Sequence, residues 1–149
     1  MSLSPTKSTV YVVDDDQDVL GSLRFLLETD GFEVRTFRSA AALLSALASN
    51  PTDCFVIDYK MPNMNGIDLA KRLRSQDIDA PIILITGYPD GSIAVKAASA
   101  GVQYVLLKPH LEDSLAAQIR GAIAARRAAS GKLRKGSPLR DGAKYSGAV

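Results

Sequence analysis

The sequence predicts an α/β domain built on a doubly wound, five-stranded parallel sheet. Five short runs rich in β-branched and apolar residues alternate along the chain with segments of helical period. Those runs are nearly continuous in apolar side chains, as strands covered on both faces must be. Breakers such as Asp30-Gly31, Asn50-Pro51 and Lys108-Pro109 fall between elements rather than within them.

Residues 9–13 (TVYVV) form the first strand and run into Asp14-Asp15-Asp16. A helix is expected over 17–29, where Val19, Leu20, Leu23, Leu26 and Leu27 recur at helical spacing. Residues 33–37 (EVRTF) alternate as a second strand, and Ser39 is placed to cap an Ala/Leu-rich helix reaching about Ala48. Residues 53–58 (DCFVID) make a buried-type strand ending in Asp58, followed by a Met/Pro/Asn loop and a helix over about 66–75. Pro81 opens the strand 82–86, which ends in Thr86. A short alanine-rich helix reaches Ala100 and is stopped by Gly101. Residues 103–107 (QYVLL) form the fifth strand, and a last helix is expected over about 111–127.

The chain has 149 residues, 46% hydrophobic and 23% charged, which suits one domain with an ordinary core. No apolar run approaches the length of a membrane span, and the N-terminus lacks the pattern of a secretory signal, so a cytoplasmic protein is expected. The single cysteine, Cys54, sits in an apolar run, where a small buried side chain is the ordinary reading. Charge is uneven. The 24 residues from Arg126 onward carry seven Lys/Arg and one Asp, a balance of +6, against −4 for the preceding 125. Beyond the last helix lie Gly, Ser, Pro, Lys and Arg with few apolar residues, so residues 128–149 are expected to be a basic, disordered tail beyond a domain of residues 8–127.

In a doubly wound sheet, ligands bind at the carboxyl ends of the strands. Here those ends carry Asp14-Asp15-Asp16, Asp58, Thr86 and Lys108. Clustered carboxylates raise one another's pKa values unless a cation joins them, and hard oxygen ligands suit Mg²⁺ working with a phosphate. A carboxylate can itself act as nucleophile and form an acyl phosphate. The charge of a transferring phosphoryl group then needs a metal, an ammonium and a hydroxyl donor, which Lys108 and Thr86 help supply. Taken singly, each residue has an ordinary explanation: a strand-end threonine, a surface lysine, a capping aspartate. Asp16 is assigned that capping role. Their joint occurrence at the right strand ends is what points to phosphoryl chemistry.

These residues resemble the receiver domain of bacterial two-component response regulators. The similarity rests on Val13-Asp14-Asp15, on Asp58-Tyr59-Lys60-Met61-Pro62-Asn63-Met64-Asn65-Gly66, on Ile85-Thr86-Gly87, and on Gly101 seven residues before Lys108-Pro109. Ile-Thr-Gly and the following Asp90 are most similar to receivers of the FixJ class. The resemblance implies a flavodoxin-like (βα)5 fold of strand order 2-1-3-4-5. It implies that Asp58 accepts the phosphoryl group, Thr86 follows it and Lys108 pairs with it. Asp14, Asp15, Asp58 and the backbone carbonyl of Lys60 would hold Mg²⁺. The Lys108–Pro109 bond would be cis, and Gly66 would permit the turn before the third helix. The implied donor is a histidine kinase or phosphotransfer protein, the implied receiver of the signal a downstream output protein, with a homodimer on phosphorylation compatible. Such a domain is not an enzyme beyond its own phosphorylation and dephosphorylation.

One position departs from the family pattern. Receivers usually carry Tyr or Phe three residues before the lysine, and here that residue is Val105. Tyr104 lies one residue earlier, which on a strand is the opposite face. Lys60 and Tyr88 flank the path of attacking water in the family and are expected to slow loss of the phosphoryl group. His110 follows Lys108-Pro109 and is expected in a surface loop. Two other function classes compete. A haloacid-dehalogenase-like phosphatase would use Asp14-x-Asp16, but that motif wants Thr or Val where Asp18 stands. A nucleic-acid-binding or scaffolding role would use the basic tail, which carries one aromatic, Tyr145, and no helix-turn-helix pattern. Nucleic acid is thus not expected as a partner without a separate domain.

Overall fold

The computed structural model describes residues 7–87, 90–108 and 114–135, and for residues 130–135 the backbone alone. Strands and helices alternate: β1 (Thr9–Val13), α1 (Gln17–Thr29), β2 (Glu33–Phe37), α2 (Ala40–Leu47), β3 (Cys54–Asp58), α3 (Gly66–Ser75), β4 (Ile82–Thr86), α4 (Gly91–Ser99), β5 (Tyr104–Leu107) and α5 (Leu115–Lys135). All strand pairs are parallel and the order is β2-β1-β3-β4-β5, the flavodoxin-like arrangement. The expectations at Tyr88, the Lys108–Pro109 bond and His110 lie outside the described residues.

Strand alternation splits the core into two layers. Tyr11, Val13, Phe55, Ile57, Ile82 and Leu84 face α2, α3 and α4, meeting Leu43, Leu69, Leu73 and Ala97. Val10, Val12, Cys54, Val56, Ile83 and Ile85 face α1 and α5, meeting Leu23, Leu27, Leu115 and Ile119. The central strands β3 and β4 are buried along their whole length, which is why their sequences do not alternate. Cys54 is fully buried, and burial pushes its thiol up to about 12. Helix starts are fixed by side-chain caps. Asp16 accepts from the amides of Asp18 and Val19, Ser39 from Ala42, Asn65 from Asp68 and Asp90 from Ser92.

Two expectations need correction. The last helix was expected to end near residue 127, yet α5 continues to Lys135, into the segment expected to be disordered. The physical reason is local. Residues 124–130 (AARRAAS) are mostly good helix formers, and the next proline is Pro138. Gly66 was expected to permit a turn, but its role is space. A Cβ there would lie 2.6 Å from the Asp58 carbonyl oxygen and 2.6 Å from Leu84 Cδ1. In β5, Val105 packs half-buried against the layer beneath α2–α4, while Tyr104 is 40% exposed.

Gly66→Ala should therefore lower stability by about 1–3 kcal/mol, whereas Gly21→Ala, at an exposed α1 position with open space around it, should raise it by about 0.5–1 kcal/mol. Urea midpoints of the two variants decide this, and equal signs would contradict the packing argument.

Candidate functional site

The chain enters the sheet at β1, winds outward to β2, then crosses back to β3 on the other side of β1. The carboxyl ends of β1 and β3 thus flank the switch point where strand order reverses, the place where such sheets bind ligands. Pairing of Val13 with Ile57, Asp58 with Ile85 and Thr86 with Leu107 aligns the four strand ends side by side. Asp14, Asp58, Thr86 and Lys108 then follow one another across the top of the sheet.

The structure brings all six sequence-predicted site residues together. Asp14, Asp15, Asp58, Lys60, Thr86 and Lys108 line one cavity of about 430 Å³, together with Asp16 and Gly87. Gly87 is the lining residue that sequence reasoning gave no role of its own. Asp14, Asp58 and Thr86 are buried, while Asp15 and Lys60 are exposed. One carboxylate oxygen from each of Asp14, Asp15 and Asp58 lies within 4.8 Å of the others. The Lys108 ammonium reaches across the sheet to Asp58 Oδ1 at 3.1 Å and to Asp14 Oδ2 at 3.8 Å. Asp14 Oδ1 accepts from the Asp16 amide at 2.9 Å, which fixes its carboxylate plane.

Electrostatics mark the cavity as short of positive charge. Burial pushes the Asp14 carboxyl up to about 6, with the charges of Asp58 and Asp15 adding to it and the Asp16 amide and Lys108 opposing. Asp58 is likewise raised by burial, against the hydrogen bond and charge of Lys108. Burial pulls the Lys108 ammonium down, but Asp58 and Asp14 outweigh it and its pKa rises. One ammonium does not balance three carboxylates. The donor set is all oxygen, anionic and partly open, which fits a hard divalent cation such as Mg²⁺.

With metal removed, Asp14 makes folding less favourable as pH rises. Its folded-state pKa of about 6 exceeds the ordinary 3.8, so the folded protein holds that proton more tightly than the unfolded chain. The benefit is complete below about pH 4 and gone above about pH 6. Asp14→Asn should therefore stabilise the metal-free protein by up to about 3 kcal/mol at pH 7, with no gain at pH 4. Denaturant curves in a chelator at both pH values check this, and a gain independent of pH contradicts it.

The response regulator receiver domain model matches residues 10–120. FixJ, a transcriptional regulatory protein of Bradyrhizobium diazoefficiens, is 42% identical over 118 residues, covering 79% of this chain and 58% of that protein. The response regulator protein TmoT of Ectopseudomonas mendocina is 36% identical over 121 residues, covering 81% and 55%. The chain thus spans little more than half the length of these curated relatives. Among solved structures, a receiver domain protein from Clostridium thermocellum superposes with a TM-score of 0.77 at 30% identity, covering 82% of this chain and 98% of that one. Fold, acidic pocket and these matches agree: the chain belongs to the response regulator receiver domain family, the phosphoacceptor signalling domains of two-component systems.

Proposed function

We propose that Asp58 is the phosphoryl acceptor and that the cavity around it is the phosphoryl-transfer site. The observation that supports this most is the 3.1 Å contact between Lys108 Nζ and Asp58 Oδ1 inside a pocket of three carboxylates. The donor is a phosphohistidine of a histidine kinase or phosphotransfer protein. A carboxylate oxygen of Asp58 attacks phosphorus. The new O–P bond forms as the P–N bond breaks, and the imidazole nitrogen leaves with the electron pair and takes a proton from solvent. Lys108 shifts from the carboxylate to the incoming phosphoryl oxygens, and the Thr86 hydroxyl donates to another of them. Asp14, Asp15, Asp58 and the Lys60 carbonyl would hold Mg²⁺. When bound, that ion supplies charge neutralisation for the transferring group. A cytoplasmic location and an output protein downstream fit this reading.

The phosphatase reading would make Asp14 the nucleophile. No observation favours it: Asp14 is 2% exposed, and one of its oxygens is committed to the Asp16 amide. Lys60 lines the cavity and is itself exposed, which fits shielding an acyl phosphate from water.

Incubation with acetyl phosphate and Mg²⁺ should add one phosphoryl group per chain, lost in Asp58→Asn and in a chelator. Multiple turnover of phosphate monoesters would instead support the phosphatase. Once labelled, a Lys60→Ala, Tyr88→Ala double variant should release phosphate faster than the parent, and an unchanged half-life would remove the shielding role.

A further inference from the structure

The lysine that touches Asp58 sits just past a weak element. Strand β5 is four residues long, lies at the edge of the sheet and is exposed at both ends. Nothing about its own pattern holds its register firmly, and sliding by one residue would turn every side chain to the other face. The structure supplies a pin at the far end. The Gln103 amide donates to the Ile82 carbonyl at 2.9 Å, as a ladder bond would. The Gln103 side-chain oxygen also accepts from the Ile82 amide at 2.7 Å. Ile82 is fully buried at the start of β4, and this side chain gives its N–H an acceptor before β5 begins.

Arg74, at the end of α3, holds that oxygen in place. Its guanidinium uses all five N–H donors: two on Gly101 O (3.2 and 2.7 Å), one each on Ile78 O (2.7 Å) and Ala80 O (2.9 Å), and one on Gln103 Oε1 (3.2 Å). Because Arg74 and the Ile82 amide can only donate, the amide of Gln103 must present its oxygen to both. Gly101 makes room. It has φ +88°, and a Cβ there would lie 2.7 Å from Arg74 Nε. At the other end of β5, Lys108 N donates to Thr86 O at 2.9 Å, and Lys108 Nζ meets Asp58.

We infer that Gln103, clamped by Arg74, is a positioning residue for phosphoryl transfer: the pair sets the β5 register that delivers the Lys108 ammonium to Asp58, about 16 Å away along the strand. The inference rests on the role proposed for Lys108. Gln103→Leu keeps the bulk but loses the acceptor; Gln103→Glu keeps the acceptor for both donors.

The test is the initial rate of Asp58 labelling by acetyl phosphate with saturating Mg²⁺, in the 149-residue chain, alone and combined with Lys108→Met. Gln103→Leu should slow labelling on the order of tenfold, and Gln103→Glu should stay within about twofold of the parent. In the Lys108→Met background, Gln103→Leu should slow it no further. Labelling of Gln103→Leu at the parental rate overturns the inference. So does a tenfold loss that persists on top of Lys108→Met, because that marks general loosening rather than delivery of the lysine. Should Gln103→Leu not fold, Gln103→Asn, one methylene short of both donors, is judged by the same criteria. Failure of the underlying reading looks different: Lys108→Met alone would then label as fast as the parent.

Discussion

The crowding of Asp14 and Asp58 against a single ammonium is the constraint on which the rest of the structure turns. Two buried carboxylates side by side are unfavourable, and Lys108, 3.1 Å from one and 3.8 Å from the other, offsets only part of that cost. Burial is the main reason these carboxyl groups hold their protons too tightly, with neighbouring carboxylate charges adding to it. A site under such tension gains from a divalent cation and from dispersing charge onto a phosphoryl group. The fold must keep the groups from relaxing apart, since a flexible loop would let the carboxylates separate into water.

That demand explains the division of labour across the sheet. The carboxylates of Asp14 and Asp58 extend from central strands packed on both faces, and Gly66 lets the start of α3 lie directly on the Asp58 carbonyl. The amino end of the sheet holds the scaffold together. There α5 is tied to three separate loops through Arg120–Asp30, Arg126–Asp79 and Arg127–Asp53. Exposed pairs of this kind are worth about 0–1 kcal/mol each, so they orient the helix more than they stabilise the domain. Arg74 differs because its five bonds end on backbone carbonyls and one amide oxygen, joining α3, the start of β4 and the turn before β5.

Much of this was legible in the sequence for a physical reason: a buried parallel strand has to be apolar throughout, so a polar residue at its carboxyl end stands out. Asp14, Asp58, Thr86 and Lys108 were found that way, and the cap residues Asp16 and Ser39 by the spacing to their amides. The end of α5 was less legible, because Gly131 and the scarcity of apolar residues beyond 127 read as loop, while α5 runs on to Lys135. Neither Arg74 nor Gln103 was singled out. An arginine in a charged helix and a glutamine before a strand look like solvated residues, and only tertiary contact shows that both face carbonyl and amide groups of other segments.

The same geometry bears on the missing aromatic at Val105. The strand pleat turns Val105 toward the α2–α4 layer and leaves Tyr104 exposed, with Leu84 beside Val105 in the register. Placing Tyr104 where Val105 stands would require β5 to slide by one residue along β4. That slide would break the Gln103–Ile82 pair and carry Lys108 away from Asp58. An inward aromatic and a lysine-paired Asp58 are therefore mutually exclusive in this sheet. A threonine–aromatic exchange that works by rotating one side chain has no aromatic at position 105 to use. At that position stands Val105, a short β-branched side chain with restricted χ1, packed against the α2–α4 layer. Such a residue reports a neighbour's movement by being displaced with its strand rather than by turning.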